Sequence, residues 1–137
     1  MFGKLPIRRL IGVILCSSPL GLALTCALWT RIVPPATAAM GGVLVTIAIL
    51  IGCLNLYLAY LRPWRHQRQQ GSLDGYRFVS GLPLVGTLFQ VVGCLIAFGS
   101  STVGFIGSLA ALLDVGGVLW IPMFTWKDHS LWGIDPL

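Results

Sequence analysis

The stretch TAAMGGVLVTIAILIGCLNLYLAYL, residues 37–61, holds no charged side chain and runs directly into RPWRHQR, residues 62–68. At ~1.5 Å rise per residue, a helix over this apolar stretch reaches about 37 Å, more than the ~30 Å hydrocarbon core of a bilayer. The basic cluster marks where such a helix must leave the lipid, because arginine is costly in hydrocarbon and favourable beside anionic headgroups. Three further apolar stretches flank this one, over residues 10–29, 78–98 and 104–126. The four together predict an all-α membrane protein, a bundle of four transmembrane helices forming one unit over residues 1–137.

Composition agrees. The chain is 56% hydrophobic and 9% charged, whereas soluble domains average roughly 45–50% apolar and about 25% charged. Once the four stretches are set aside, the connectors leave no room for an aqueous domain. The net charge of +5 sits beside the apolar stretches, where it reads as a topology signal and a set of lipid contacts rather than a nucleic-acid surface. Lys4, Arg8 and Arg9 precede the first stretch, Arg62, Arg65, Arg68 and Arg77 fill the second connector, and Lys127 follows the last stretch; Arg31 alone stands on the other side. The positive-inside bias therefore predicts both termini and an Arg-rich loop, residues 62–77, in the cytoplasm. That loop reads as exposed chain with at most a brief helical continuation of the second span. Tyr60, Trp64, Tyr76 and Trp126 fall at the same predicted interface, and Trp29 at the opposite one. The first stretch reads as a retained span, since its apolar core exceeds the 7–15 residues of a secretory signal.

Cys16, Cys26, Cys53 and Cys94 all lie inside apolar stretches, which makes them small packing residues; without a Cys-x-x-Cys pair or a nearby histidine no metal site or cofactor is expected. Pro19, preceded by Ser17 and Ser18, predicts a kink whose freed carbonyl a serine hydroxyl satisfies. Small-xxx-small spacings at Gly12/Cys16, Ser17/Gly21, Ala48/Gly52, Gly93/Ala97, Gly104/Ser108 and Gly107/Ala111, with Gly41-Gly42, predict close helix contacts. The same faces are compatible with a homo-oligomer.

Asp114 is the only carboxyl group within an apolar stretch. At the centre of a span a charge costs at least ~2.5–3.5 kcal/mol, so it must face the bundle interior. With the spans aligned by their midpoints, Gln90 shares its depth, Thr87 lies one turn further inward and Asn55 sits closer to the cytoplasm. The expected network is Asp114, Gln90, Thr87 and Asn55, with an Asp114–Gln90 hydrogen bond at its centre. A break at Gly116-Gly117 or Pro122 would instead make Asp114 the terminus of a half-helix. Catalysis has no basis here: His66 and His129 lie in the connectors, away from Asp114, and no phosphate-binding loop occurs.

The segment YRFVSGLPLVGT, residues 76–87, followed by LLDVGG, residues 112–117, and then Trp120 and Pro122, resembles small bacterial inner-membrane immunity proteins encoded beside polymorphic, contact-delivered toxins of the type VI secretion or Rhs kind. The resemblance implies a multi-pass protein of the bacterial inner membrane that neutralises a cognate toxin, itself membrane-targeting, by direct binding. Under that reading Asp114, Gln90, Arg62, Arg65, Arg68 and Arg77 are the candidate partner contacts, with anionic headgroups at the cytoplasmic loop. The alternatives are a small proton-coupled exporter working through Asp114 and a phage holin.

Overall fold

Helix α1 spans Ile7–Leu28 and carries Pro19 inside it. Proline withholds the N–H that the Leu15 carbonyl would otherwise accept. The Ser18 hydroxyl donates to that carbonyl instead, at 2.7 Å, as the sequence predicts. The computed structural model describes residues 7–72, 74–77, 79 and 81–127, without the side chain of residue 8. Lys4, the Arg8 side chain, Phe78, Ser80 and His129, which enter the sequence reading, lie outside the described residues.

After a short connector, in which Arg31 N–H donates to the Gly99 carbonyl at 3.0 Å, helix α2 runs over Pro35–Leu56 with proline at its start. It does not end at the basic cluster. A single π turn, Tyr57–Leu61, leads without interruption into α3, Arg62–Gln70. Together they make one helix of 36 residues, about 54 Å long. The π turn sits directly ahead of Pro63, whose ring would clash with the Ala59 carbonyl in a regular helix; widening the turn relieves that clash. Gly71 then stops the helix in the left-handed conformation, φ 76°. Residues 62–70 are therefore helix, and the exposed loop expected there is confined to the residues after Gln70.

Helix α4 covers only Val85–Ile96. Its 12 residues give about 18 Å, so the helix expected over 78–98 is shortened at its start. Pro83 disfavours helical geometry before it, and Leu84 adopts a positive φ of 65° at the helix entrance. Helix α5, Ser101–Leu113, opens on a Ser100 hydroxyl that accepts from Val103 N–H at 3.5 Å. It stops at Asp114. The chain turns through Gly116-Gly117, forms a single 3₁₀ turn at Val118–Trp120 and ends the described region in α6, Ile121–Thr125. The two halves of this fourth apolar stretch are bent by 49°. Trp120 bridges the bend, its indole N–H donating to the Leu112 carbonyl at 3.2 Å.

Among the described residues the chain is helical throughout its regular structure, with two helices long and apolar enough to cross a membrane and a third if the bent pair is taken as one span. Helices α4 and α5 occupy the middle: α2 packs on both, and α1 packs on α5 and, less extensively, on α4. The centre is built from small side chains, Ala23, Cys26, Val45, Cys94, Ala97 and Val103, while Leu15, Leu50, Leu88 and Phe105 point outward at roughly 63% exposure each. An apolar surface this extensive over a small, partly polar centre suits hydrocarbon and not water.

The small-residue spacings explain the closeness of these helices. A methyl group on Gly104 would run into the Ala27 backbone of α1, and one on Gly41 would approach the Gly93 carbonyl of α4 to 2.7 Å. Gly107 lies against Cys94, and Gly52 against the backbone of Asp114. Gly21 and Gly42, included in the same expectation, face open space.

Candidate functional site

Two chain breaks meet inside the bundle. One is the stretch from Gly81 to Leu84 ahead of α4; the other is Asp114 to Gly117 after α5. Non-helical backbone at such depth survives only where its polar groups find partners inside the protein. Here the partner is Asn55, on the last turn of α2 and 3% exposed. Its side-chain oxygen accepts from Leu82 N–H at 2.8 Å, and its amide nitrogen donates both to the Leu82 carbonyl at 3.2 Å and to Asp114 Oδ1 at 2.6 Å. A single amide thus ties both breaks together. Leu84 N–H adds a direct link between them, donating to the Gly116 carbonyl at 3.2 Å.

Glycine walls this cluster. A methyl on Gly81 would overlap the Asn55 oxygen, and one on Gly86 would come within 2.5 Å of Asp114 Oδ2. On Gly117 a methyl would stand 2.7 Å from Thr87 Oγ1 and 2.8 Å from Asp114 Oδ2. Thr87 completes the wall by accepting from Val118 N–H at 3.3 Å. Asp114 itself is 2% exposed. Its Oδ1 is held by Asn55, while Oδ2 has no hydrogen-bond partner among the described residues.

Gln90 does not belong to the cluster. It is 1% exposed and donates from Nε2 to the Pro19 carbonyl at 2.8 Å, fastening α4 to the kink of α1, while its Oε1 has no partner among the described residues. The expected Asp114–Gln90 bond is therefore not formed. The physical reason is the length of the helices: α5 ends at Leu113, so Asp114 lies level with Gly86 at the start of α4, a full turn before Gln90. Asp114 and Gln90 are also too deeply buried to meet an outside partner while the bundle is closed.

The basic residues form a separate feature. Arg62, Arg65, His66 and Gln69 follow helical i, i+3, i+4, i+7 spacing and so share one face of α3. With Tyr57, Gly75, Tyr76 and Arg77 they line a cavity of about 470 Å³. His66 packs on Tyr76 with ring centroids 4.9 Å apart, and the Arg62 guanidinium lies 5.9 Å from the same ring. Arg68 is not in the lining; its guanidinium covers Trp64 at 4.3 Å. At this end of the bundle Arg9 also lies over Trp126, 5.0 Å from the ring. Arg31 sits at the far end over Trp29, at 5.5 Å.

The chain matches no family model, no curated protein and no solved structure.

The structure brings together three of the four intramembrane polar residues singled out in the sequence, Asn55, Thr87 and Asp114, and three of the four arginines, Arg62, Arg65 and Arg77. Residues 81–87 and 112–117 meet around the Asn55–Asp114 bond. What the sequence reading missed is that Leu82 and the glycines at 81, 86, 116 and 117 belong to one site, and that His66, Gln69 and Tyr57 join the basic cavity. Helical spacing from Arg62 would have revealed the second group once residues 62–70 are read as helix.

Proposed function

We propose that this chain is a multi-pass bacterial inner-membrane protein that protects its own cell by binding a cognate, membrane-targeting toxin. In this reading four segments lie in the membrane with both described ends of the bundle's basic side toward the cytoplasm. Helix α4 alone is short for a span. In this reading the non-helical residues 81–84 that precede it, with Pro83 and Leu84 in a turn, lie in the membrane with it. The charge distribution supports the orientation: Arg9 and α3 lie at one end of the bundle and Arg31 at the other.

The observation that carries the reading is the use made of Asp114. One of its oxygens is committed to an internal bond with Asn55, and the residue is 2% exposed. A small exporter needs its carboxyl group on a path, whereas a membrane-resident inhibitor needs a rigid body with an outward recognition surface. Gly41, Gly52, Gly93, Gly104 and Gly107 are taken up by the chain's own packing, whereas Gly21 and Gly42 stay open, so recognition falls to the lipid-facing side chains and to α3, the polar element that projects beyond the apolar bundle.

The test is protection. Expressing the full chain is expected to rescue cells from the toxin encoded next to its gene and to leave unrelated toxins lethal. Asp114→Asn is expected to keep that rescue. A second reading, proton or cation coupling at Asp114, is favoured by the unpartnered Oδ2 at a helix break. Proton-dependent efflux abolished by Asp114→Asn would establish it in place of the first. Lysis on expression of the chain alone would assign it to holins instead.

A further inference from the structure

We propose that the cavity at the basic end of the bundle is a binding site for a phosphate group, carried either by an anionic phospholipid headgroup or by a free phosphate compound. This inference is independent of the immunity reading. Three arginines, Arg62, Arg65 and Arg77, line a single concavity of about 470 Å³ whose lining contains no carboxylate. The chain as a whole has no Glu and only four acidic residues. Like charges gathered without a counter-ion repel one another, and a bound anion removes that cost. A topology signal requires basic residues on the correct side of the membrane but no shared cavity, so orientation alone leaves their common lining unexplained.

The lining suits phosphate in particular. Guanidinium offers a planar fork that matches two phosphate oxygens, and three forks from two chain segments surround a tetrahedral anion better than a flat carboxylate. Two of the arginines come from one face of α3, and the third returns from the chain after it. The tyrosine ring between them fixes the arrangement, since His66 and Arg62 both pack on Tyr76. His66 is itself part of the lining. Tyr57, in the same lining, is the first residue of the π turn at which the apolar helix gives way to the basic one. The cavity thus lies at the boundary where headgroup phosphates are found.

Full-length protein in phosphatidylcholine nanodiscs, with and without phosphatidylglycerol, tests the site. Retained phosphatidylglycerol is counted by native mass spectrometry, and inorganic phosphate and pyrophosphate are titrated into the phosphatidylcholine-only discs. Saturable binding is expected in at least one arm. Binding of phosphatidylglycerol alone assigns the headgroup as the source, and binding of phosphate or pyrophosphate assigns a soluble one. Arg65→Gln combined with Arg77→Gln is expected to weaken that binding by roughly tenfold or more. Arg68→Gln removes a charge from the same helix but outside the cavity, and is expected to change affinity by less than about twofold. Should the double variant fail to fold, Arg77→Gln alone, a change outside any helix, carries the test. Equal weakening by Arg68→Gln, unchanged affinity in Arg77→Gln, or no saturable binding in either arm overturns the proposal.

Discussion

Asn55 donates to Asp114 across 2.6 Å while the rest of the same amide holds Leu82, so that one side chain on α2 fixes two breaks in the helices opposite it. The bond places the burden of the fold on the amide and not on the carboxyl group.

Asn55→Leu is expected to be severe. It removes the partner of Leu82 N–H, of the Leu82 carbonyl and of Asp114 Oδ1 at once. At ~1–3 kcal/mol for each buried group left unsatisfied, the loss is on the order of 3–9 kcal/mol. Asp114→Asn keeps an oxygen to accept from Asn55 and is expected to cost less than about 1 kcal/mol. Thermal unfolding of both variants in detergent, followed by size-exclusion recovery, checks the order. A carboxyl variant less stable than the amide variant would contradict it.

Gln90→Leu is expected to change stability by no more than about 1 kcal/mol. The bond to the Pro19 carbonyl is lost, which in membrane proteins averages only ~0.6 kcal/mol. The same change also removes Oε1, a buried acceptor with no partner among the described residues. The two effects oppose one another. A loss comparable to that of Asn55→Leu would show Gln90 to be tied into the polar cluster after all.

Gly104→Ala and Gly42→Ala form a matched pair. The first forces a methyl into the Ala27 backbone, whereas the second meets nothing within 4 Å. Overpacking of this kind costs ~1–3 kcal/mol, while alanine in an open helical position gains roughly 0.5–1 kcal/mol over glycine. The expected signs are therefore opposite, and melting temperatures in one detergent suffice to compare them.

Orientation is open to chemical labelling. In a cysteine-free background, Ile32→Cys places a thiol on the connector that is bonded to Gly99, at a position exposed to 103% of its reference area. Gln69→Cys places one on exposed α3 at the other end. A membrane-impermeant maleimide is expected to modify the first in intact cells and the second only after lysis. The reverse pattern would invert the proposed topology.

Much of this architecture is legible in the residues. Lengths of uncharged sequence mark α1 and α2, Ser18 beside Pro19 announces how the kink is satisfied, and Gly104 and Gly41 announce close helix approach. The depth of the polar residues is not legible in the same way. Aligning spans by their midpoints assumes that each apolar stretch is one straight helix. Pro83 and the Gly116-Gly117 pair break two of the four, and each break shifts the residues beside it along the bundle axis. Gln90 and Asp114 are separated by that shift, and Asn55 is brought in. The physical clue available beforehand was a need: two stretches of irregular backbone in an apolar setting require a side chain that both donates and accepts. Asn55 is the only side-chain amide in the α2 stretch. The helical state of residues 62–70 escaped for another reason, since a polar segment rich in arginine and glutamine has the same composition in a solvated helix as in a loop.

The π turn at Tyr57–Leu61 has the effect of a gear set to a chosen angle. Every residue added to or taken from a helix rotates the downstream residues by about 100°. Deleting one residue there would bring back the Pro63 clash and set the helix that carries Asn55 and the one that begins at Arg62 out of phase. Asn55 would still reach Leu82 and Asp114, while Arg65 and His66 would swing away from Arg77. The polar lock inside the bundle and the charged bowl beneath it are therefore timed to each other by a single turn of backbone.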